Sequence, residues 1–213
     1  MKYYLQLRAI AYEDQTIQEK HSGLIAGLSE LPNEWRLRAD LLAPEAGNDP
    51  SAILSVTKLL GKGVKGNIIY QKRRPFTDKA VNDDYIDYRF NPAKVSYAEL
   101  INTVVPSYIL AFTPYYAKVN DEEFTYRDYE KERDLGSDPR YVLYRLPPVS
   151  FLDRTYCQRS LDMSPEEVVD KLFGHVAEAK LIANGVYIVL SSKPLPTEEM
   201  DKLCWKAKGI LMK

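Results

Sequence analysis

The chain has 213 residues, 45% hydrophobic and 28% charged, with a net charge of −1, a balance that fits one large globular domain or two small ones. Near-neutral charge supplies no global field for nucleic acid or a membrane surface, and no uncharged stretch approaches the roughly 20 apolar residues of a spanning helix. The two cysteines, Cys157 and Cys204, mark no disulfide framework; the first residues lack the apolar core and cleavage site of a signal peptide, so the expected location is the cytoplasm.

Residues 3–12 alternate, with Tyr3, Leu5, Leu7, Ala9 and Ala11 on one side and Gln6 and Arg8 on the other, which predicts a strand with one wet face. A helix over 14–30, with Asp14 as candidate cap, carries Ile17, His21, Leu24, Ile25, Leu28 and Leu31, and Pro32-Asn33 ends it. Trp35, Leu37, Ala39 and Leu41 alternate with Arg36, Arg38 and Asp40, predicting a strand over 35–42. Asp49-Pro50 opens a helix over 50–60; Gly61, Gly63 and Gly66 then lead into a strand over 67–72. Residues 73–95 read as loop with one irregular strand near Tyr85 to Phe90. The apolar stretch 96–117 predicts a helix that Pro106 kinks or divides. Residues 120–139 are polar and acidic and read as a surface loop or hinge.

The stretch from Arg140 to Lys213 carries the clearest local signals. A strand is expected over 141–145, then Pro147-Pro148 and the apolar run Val149-Ser150-Phe151-Leu152. In Ser164-Pro165-Glu166-Glu167 the serine can cap, the proline fits the first helical position and Glu167 completes a capping box. Val168, Leu172, Val176, Ala179 and Ala183 extend that helix over 164–183, and Asn184-Gly185 supplies a stop. A strand over 186–191 and a helix over 197–211, with Thr197 as cap, close the chain. The fold class is therefore α+β or α/β: a mixed sheet flanked by helices and covered mainly on one face. Residues 1–213 form one domain. Two strand–helix–strand–helix lobes, 1–75 and 140–213, echo each other across an acidic, tyrosine-rich segment 76–139.

Catalytic motifs are hard to find. Gly61-Lys62-Gly63-Val64-Lys65-Gly66 has the composition of a phosphate loop, but the helix precedes it and the strand follows, the reverse of the order phosphate binding needs. Lys62, Lys65, Lys72, Arg73 and Arg74 with Tyr70 and Phe76 could contact nucleic acid, yet an acidic stretch follows at once. Asp170 with Glu178-Ala179-Lys180 imitates a nuclease carboxylate set, but all fall on one expected helix rather than on adjacent strands. His21 sits on an apolar stripe, and His175 has no metal-ligand spacing around it. Cys157 with either histidine is the remaining nucleophile pair, and no Gly-x-Ser-x-Gly elbow occurs. No cofactor or metal is expected.

Charge is segregated: residues 61–79 carry +5 and residues 80–139 carry −6. Eight of the sixteen tyrosines fall between 85 and 129. Tyrosines bury much area at low entropic cost, and acids beside them steer a basic partner. The candidate partner-binding residues are Asp83, Asp84, Tyr85, Asp87, Asp121, Glu122, Glu123 and Tyr126. The competing reading makes the tyrosines core cover and the acids a solvated face.

The run Pro148-Val149-Ser150-Phe151-Leu152-Asp153, the capped helix, Asn184-Gly185-Val186-Tyr187-Ile188-Val189, then Pro194-Leu195-Pro196 and a closing helix resemble the C-terminal half of bacterial immunity proteins, more narrowly the immunity protein 52 family. The likeness covers about a third of the chain. That family is associated with polymorphic toxins of restriction-endonuclease fold, including type VI secretion effectors. The resemblance implies a non-catalytic cytoplasmic inhibitor that binds a cognate toxin protein; the charge balance and the lack of a long apolar stretch separately argue against nucleic acid and membrane as partners. The alternatives are a small α/β enzyme of unrecognised class and a structural or regulatory interaction domain.

Overall fold

A computed structural model describes residues 2–212 apart from 33, 62, 76, 78, 135 and 137, and only the backbone of 132. Among these residues eight strands form one sheet: β1 (Tyr3–Ile10), β2 (Ser51–Ser55), β3 (Lys65–Gln71), β4 (Asp83–Phe90), β5 (Tyr116–Asp121), β6 (Val149–Asp153), β7 (Glu178–Ile182) and β8 (Gly185–Val189). Their spatial order is β2-β3-β4-β1-β5-β6-β8-β7, and every pairing is antiparallel. The helices are α1 (Ile17–Gly27), α2 (Tyr97–Glu99), α3 (Val105–Phe112), α4 (Glu122–Asp134), α5 (Arg154–Leu161), α6 (Pro165–Leu172) and α7 (Thr197–Leu211). The class is mixed α+β with helices flanking the sheet, as the periodicities predict.

One face of the sheet is covered along its whole width. Leu5 and Leu7 of β1, Tyr88 of β4, Val119 of β5, Phe151 of β6 and Tyr187 of β8 bury there against Leu24, Trp35, Val104 and Ile109. The opposite face is covered only in its second half, where Leu152, Val186 and Ile188 pack under α5, α6, α7 and Phe124 of α4. Each buried Leu or Phe of these layers contributes on the order of 2 kcal/mol. Among the described residues no helix lies across the opposite face of β2, β3 and β4, and α4 reaches only as far as β1; the residues of these four strands on that face stay exposed or half-buried apart from Asp83.

Pro106 distorts its helix without breaking it, and the helical stretch ends at Phe112. This proline has no amide N–H and crowds the carbonyl one turn back, and the chain answers with a π-helical turn at Leu100–Val104 between α2 and α3. The Val105 amide donates to Leu100, which releases the Ile101 carbonyl to accept the Tyr187 hydroxyl at 2.7 Å.

Several elements differ from expectation. No strand occupies 35–42: Trp35 and Leu37 are buried because this loop crosses the core, and the Trp35 and Arg36 amides both donate to the Pro32 carbonyl. The expected helix over 50–60 is the edge strand β2, whose partner β3 supplies the hydrogen bonds. Residues 120–139 contain α4, started by Asp121, whose carboxylate accepts the Phe124 amide at 2.8 Å. No strand occupies 141–145; β6 follows it instead. The helix expected over 164–183 stops at Leu172, and residues from Glu178 turn back as β7 to pair with β8. Gly185 is no helix stop: a Cβ there would meet the Leu152 carbonyl oxygen at 2.3 Å, so glycine is what lets β8 approach β6.

The two expected lobes share the sheet without repeating each other. From the centre outward the order is β1, β4, β3, β2 on one side and β5, β6, β8, β7 on the other. The segment 76–139, expected as a joining piece, supplies β4 and β5, the two strands that flank β1.

Candidate functional site

One rung of paired residues crosses all eight strands: Ile53, Ile69, Tyr85, Arg8, Tyr116, Leu152, Val186 and Leu181. Tyr116, Leu152 and Val186 are buried under the C-terminal helices; Ile53, at 59% exposure, stands in the open. α4 runs along the boundary between the two halves. Between α4 and the sheet lies a cleft of about 340 Å³, within the range of small ligand sites. Its floor is Tyr4, Gln6 and Arg8 of β1 with Tyr85 and Lys118; its wall is Glu122, Thr125, Tyr126 and Tyr129 of α4.

The floor is held by neighbours. The Arg8 guanidinium lies over the Tyr85 ring, 4.6 Å from its centroid, and Nη1 donates to the Ala80 carbonyl at 3.3 Å. Gln6 Nε2 donates to Asp87 Oδ1 at 3.0 Å. The Lys118 ammonium sits 5.9 Å from the Tyr116 ring, which stacks on Tyr156 at 5.1 Å between centroids. On the wall, Tyr126 and Tyr129 present their rings to solvent, 63% and 62% exposed. Arg8 and Lys118 face one acid of the lining, Glu122. Further along the same bare face, Lys65 and Arg89 stand around Asp87.

The candidate acids divide sharply. Asp83, Asp84 and Asp121 are buried rather than displayed, which corrects the expectation of a surface carboxylate set. Asp83 accepts from Arg140 Nε at 3.0 Å and from the Tyr115 hydroxyl at 2.6 Å, with Arg8 3.6 Å away. Asp84 is bidentate to Arg73, at 2.8 and 2.9 Å, and also accepts the Gln71 amide. Asp121 starts α4 and accepts from Thr197 Oγ1 at 3.2 Å. Asp87 lies half-buried on the bare face. Glu122 and Glu123 are exposed, and Glu123 pairs with Arg127 at 3.2 Å. Tyr85 and Tyr126, 41 positions apart in the chain, are brought to one cleft. Sequence reasoning missed Tyr4, Lys118 and Tyr129; Gln6 and Arg8 already stood on the wet side of β1, and this was the signal available.

The remaining chemical candidates resolve into structure. Cys157 is buried, with Sγ 3.7 Å from the Leu152 carbonyl oxygen, and burial pushes its thiol up to about 12; Cys204 is buried and raised likewise to about 12. Neither can supply a thiolate near neutral pH. His21 is buried, Nδ1 3.0 Å from the Tyr70 hydroxyl and Nε2 3.2 Å from the Leu41 carbonyl, so Nε2–H donates and Nδ1 accepts. Burial lowers its pKa, opposed by the Leu41 bond. His175 is exposed beyond α6. Glu178 and Lys180 lie on β7, not on a helix, and pair with each other at 2.9 Å. Of the basic set, Arg73 holds Asp84 and Tyr70 is core; Lys62 and Phe76 lie outside the described residues. The glycine run leads into the strand β3 as expected, but the element before it is the strand β2 and not a helix. Among the described residues no three His, Cys, Asp or Glu side chains gather as a metal-binding group, and no helix is long and apolar enough to cross a membrane. No protein-family model matches the chain, and no curated protein matches it.

Proposed function

We propose that this chain is a cytoplasmic immunity-type protein that binds and neutralises a toxin protein, and that the cleft under α4 is its contact surface. One observation carries the reading. Exposed tyrosine rings, Tyr126 and Tyr129, stand over a floor that Tyr85 and Arg8 stiffen, with no activated nucleophile or general base converging there. Rigid aromatic anchors at the rim of a preformed cleft are the pattern of interaction hot spots. Catalysis would require convergent titratable groups with shifted protonation; the thiols and His21 are buried elsewhere, each already bonded or packed in the core. The toxin assignment comes from the resemblance of the C-terminal third to immunity proteins, and a nuclease of restriction-endonuclease fold is the toxin class it implies.

The test is co-expression with the product of a neighbouring toxin-like reading frame. Growth rescue and a complex on size-exclusion chromatography are expected, and Tyr85→Ala with Tyr126→Ala should abolish both while the fold persists. A complex without rescue would replace the immunity reading with that of a regulatory interaction domain.

A further inference from the structure

We infer that the bare half-face of the sheet receives an extended acidic segment of the protein partner, one that presents an apolar side chain and, four residues along on the same side, a carboxylate; this rests on the binding-protein reading above. The middle of the chain is acidic in sequence, and the natural expectation is an acidic surface seeking a basic partner. The fold reverses that sign locally. Asp83, Asp84 and Asp121 are withdrawn into the interior. The open face and the adjoining cleft keep Arg8, Lys118, Lys65 and Arg89 against Asp87 and Glu122, while Asp83, 3.6 Å from Arg8, is buried and already matched by Arg140. Four cations to two acids makes a positive patch on a chain of net charge −1.

The spacing specifies more than charge. Ile53, Ile69 and Tyr85 form an apolar row along one rung. Lys65 and Arg89 are paired on a second rung, four residues away on β3 and β4, or about 13 Å at about 3.3 Å per residue. An extended segment lying along β4 would set an apolar side chain on Tyr85 and a carboxylate at Arg89. Asp87 lies midway between them, joined to Gln6. That acid, with Glu122 at the cleft mouth, repels a continuous phosphate backbone, whereas a protein segment can place its carboxylates one at a time. The face therefore favours an acidic polypeptide over a polynucleotide.

The test uses amide-resolved NMR titration of the full chain with three probes: a synthetic peptide of Val-Thr-Ser-Thr-Glu-Thr-Glu-Thr repeats, in which valine and glutamate four residues apart share one side, its counterpart with lysine for glutamate, and oligothymidylate. The glutamate peptide should shift the amides of Tyr85, Asp87, Arg89 and Lys118. Arg89→Glu with Lys118→Glu should weaken it about tenfold or more, and Glu122→Lys should tighten it several-fold. Arg89→Gln with Lys118→Gln, checked by circular dichroism, gives an intermediate loss if a charge reversal disturbs folding. Stronger binding of the lysine peptide, stronger binding of oligothymidylate, shifts confined to another surface, or no shift with any probe would each overturn the inference. A toxin complex indifferent to the Arg89 and Lys118 reversals overturns this inference and leaves the immunity reading standing. Glutamate-peptide binding on this face without any neutralised toxin does the opposite.

Discussion

Asp83 and Arg140 stand 57 residues apart in the chain and form a buried ion pair, with Arg140 Nε donating to Asp83 Oδ1 at 3.0 Å and the Tyr115 hydroxyl donating to Oδ2 at 2.6 Å. The pair ties the start of β4 to the chain that follows α4. It also explains why an acid beside an exposed tyrosine-rich cleft is no part of the surface. Deleting one partner strands the other charge in the interior, at a cost of about 3–5 kcal/mol. Asp83→Ala should therefore lower the urea midpoint strongly. Glu123→Lys, on the exposed side of α4, should move stability by no more than about 0.5 kcal/mol. Similar urea midpoints for the two variants would show that the pair is not structural.

Tyr126 is the opposite case. Its ring is exposed, so Tyr126→Ala should leave thermal unfolding almost unchanged. In a complex with the partner it should speed dissociation by a factor equivalent to about 2 kcal/mol or more. Surface plasmon resonance separates this from a change in association rate. A slower association with unchanged dissociation would make Tyr126 a steering residue rather than an anchor.

Gly66 sits in β3 at a φ of +140°, and a Cβ built there would lie 1.9 Å from the Asp87 carbonyl oxygen. Gly66→Ala must strain the backbone and push β3 off β4. The expected loss is about 1–3 kcal/mol or more. Amide exchange should accelerate along β3 before it does in β5 or β6. Unchanged protection in β3 would mean that the strands tolerate the side chain.

Lys20 gives a pH signature. Its ammonium is buried, donates to the Phe112 carbonyl and to Thr113 Oγ1 at 3.0 Å, and burial pulls its pKa down from 10.5 to about 8, with Asp84 opposing and Arg73 adding to the depression. Below about 8 the folded and unfolded chains both hold the proton, and this group gives no slope. From about 8 to 10.5 the unfolded chain binds more protons, so stability from this group rises with pH, by up to about 1.4 kcal/mol per unit. Lys20→Met should remove that increment. Urea unfolding of both proteins between pH 8 and about 9.5, before tyrosines ionise in the unfolded chain, is the measurement; parallel profiles would contradict the assignment.

Some signals that act within one turn of chain were legible in the sequence, but not all: α1 is capped by Thr16 rather than Asp14, and Thr197, expected as a cap, lies inside α7 with its hydroxyl donating to Asp121. The capping box at Ser164 and Glu167 is formed as its spacing implies, with the Ser164 amide donating to Glu167 at 2.7 Å. Pro106 distorts its helix, the alternation that opens the chain is strand β1, and the apolar run after Asn184-Gly185 lies in β8. These outcomes follow from caps, a missing amide hydrogen and side-chain period, none of which needs a distant partner. For the site, the same reading reached Tyr85 and Tyr126 through composition and Gln6 and Arg8 through period, but it could not join them.

Only the tertiary structure decided where pairing partners lay and which charges met. Residues 50–60 and 173–183 carry helix-like apolar spacing, yet β2 and β7 are strands because β3 and β8 offer them open edges. Trp35 and Leu37 alternate like a strand but plug the core from a loop, with the Trp35 carbonyl accepting the Tyr108 hydroxyl at 2.8 Å. Asp83, Asp84 and Asp121 look like a surface field in sequence. Arg140, Arg73 and Thr197, contributed from outside the acidic clusters, draw them inside. Burial of a carboxylate depends on which donors the fold delivers to it, and that information lies in contacts between residues far apart in the chain.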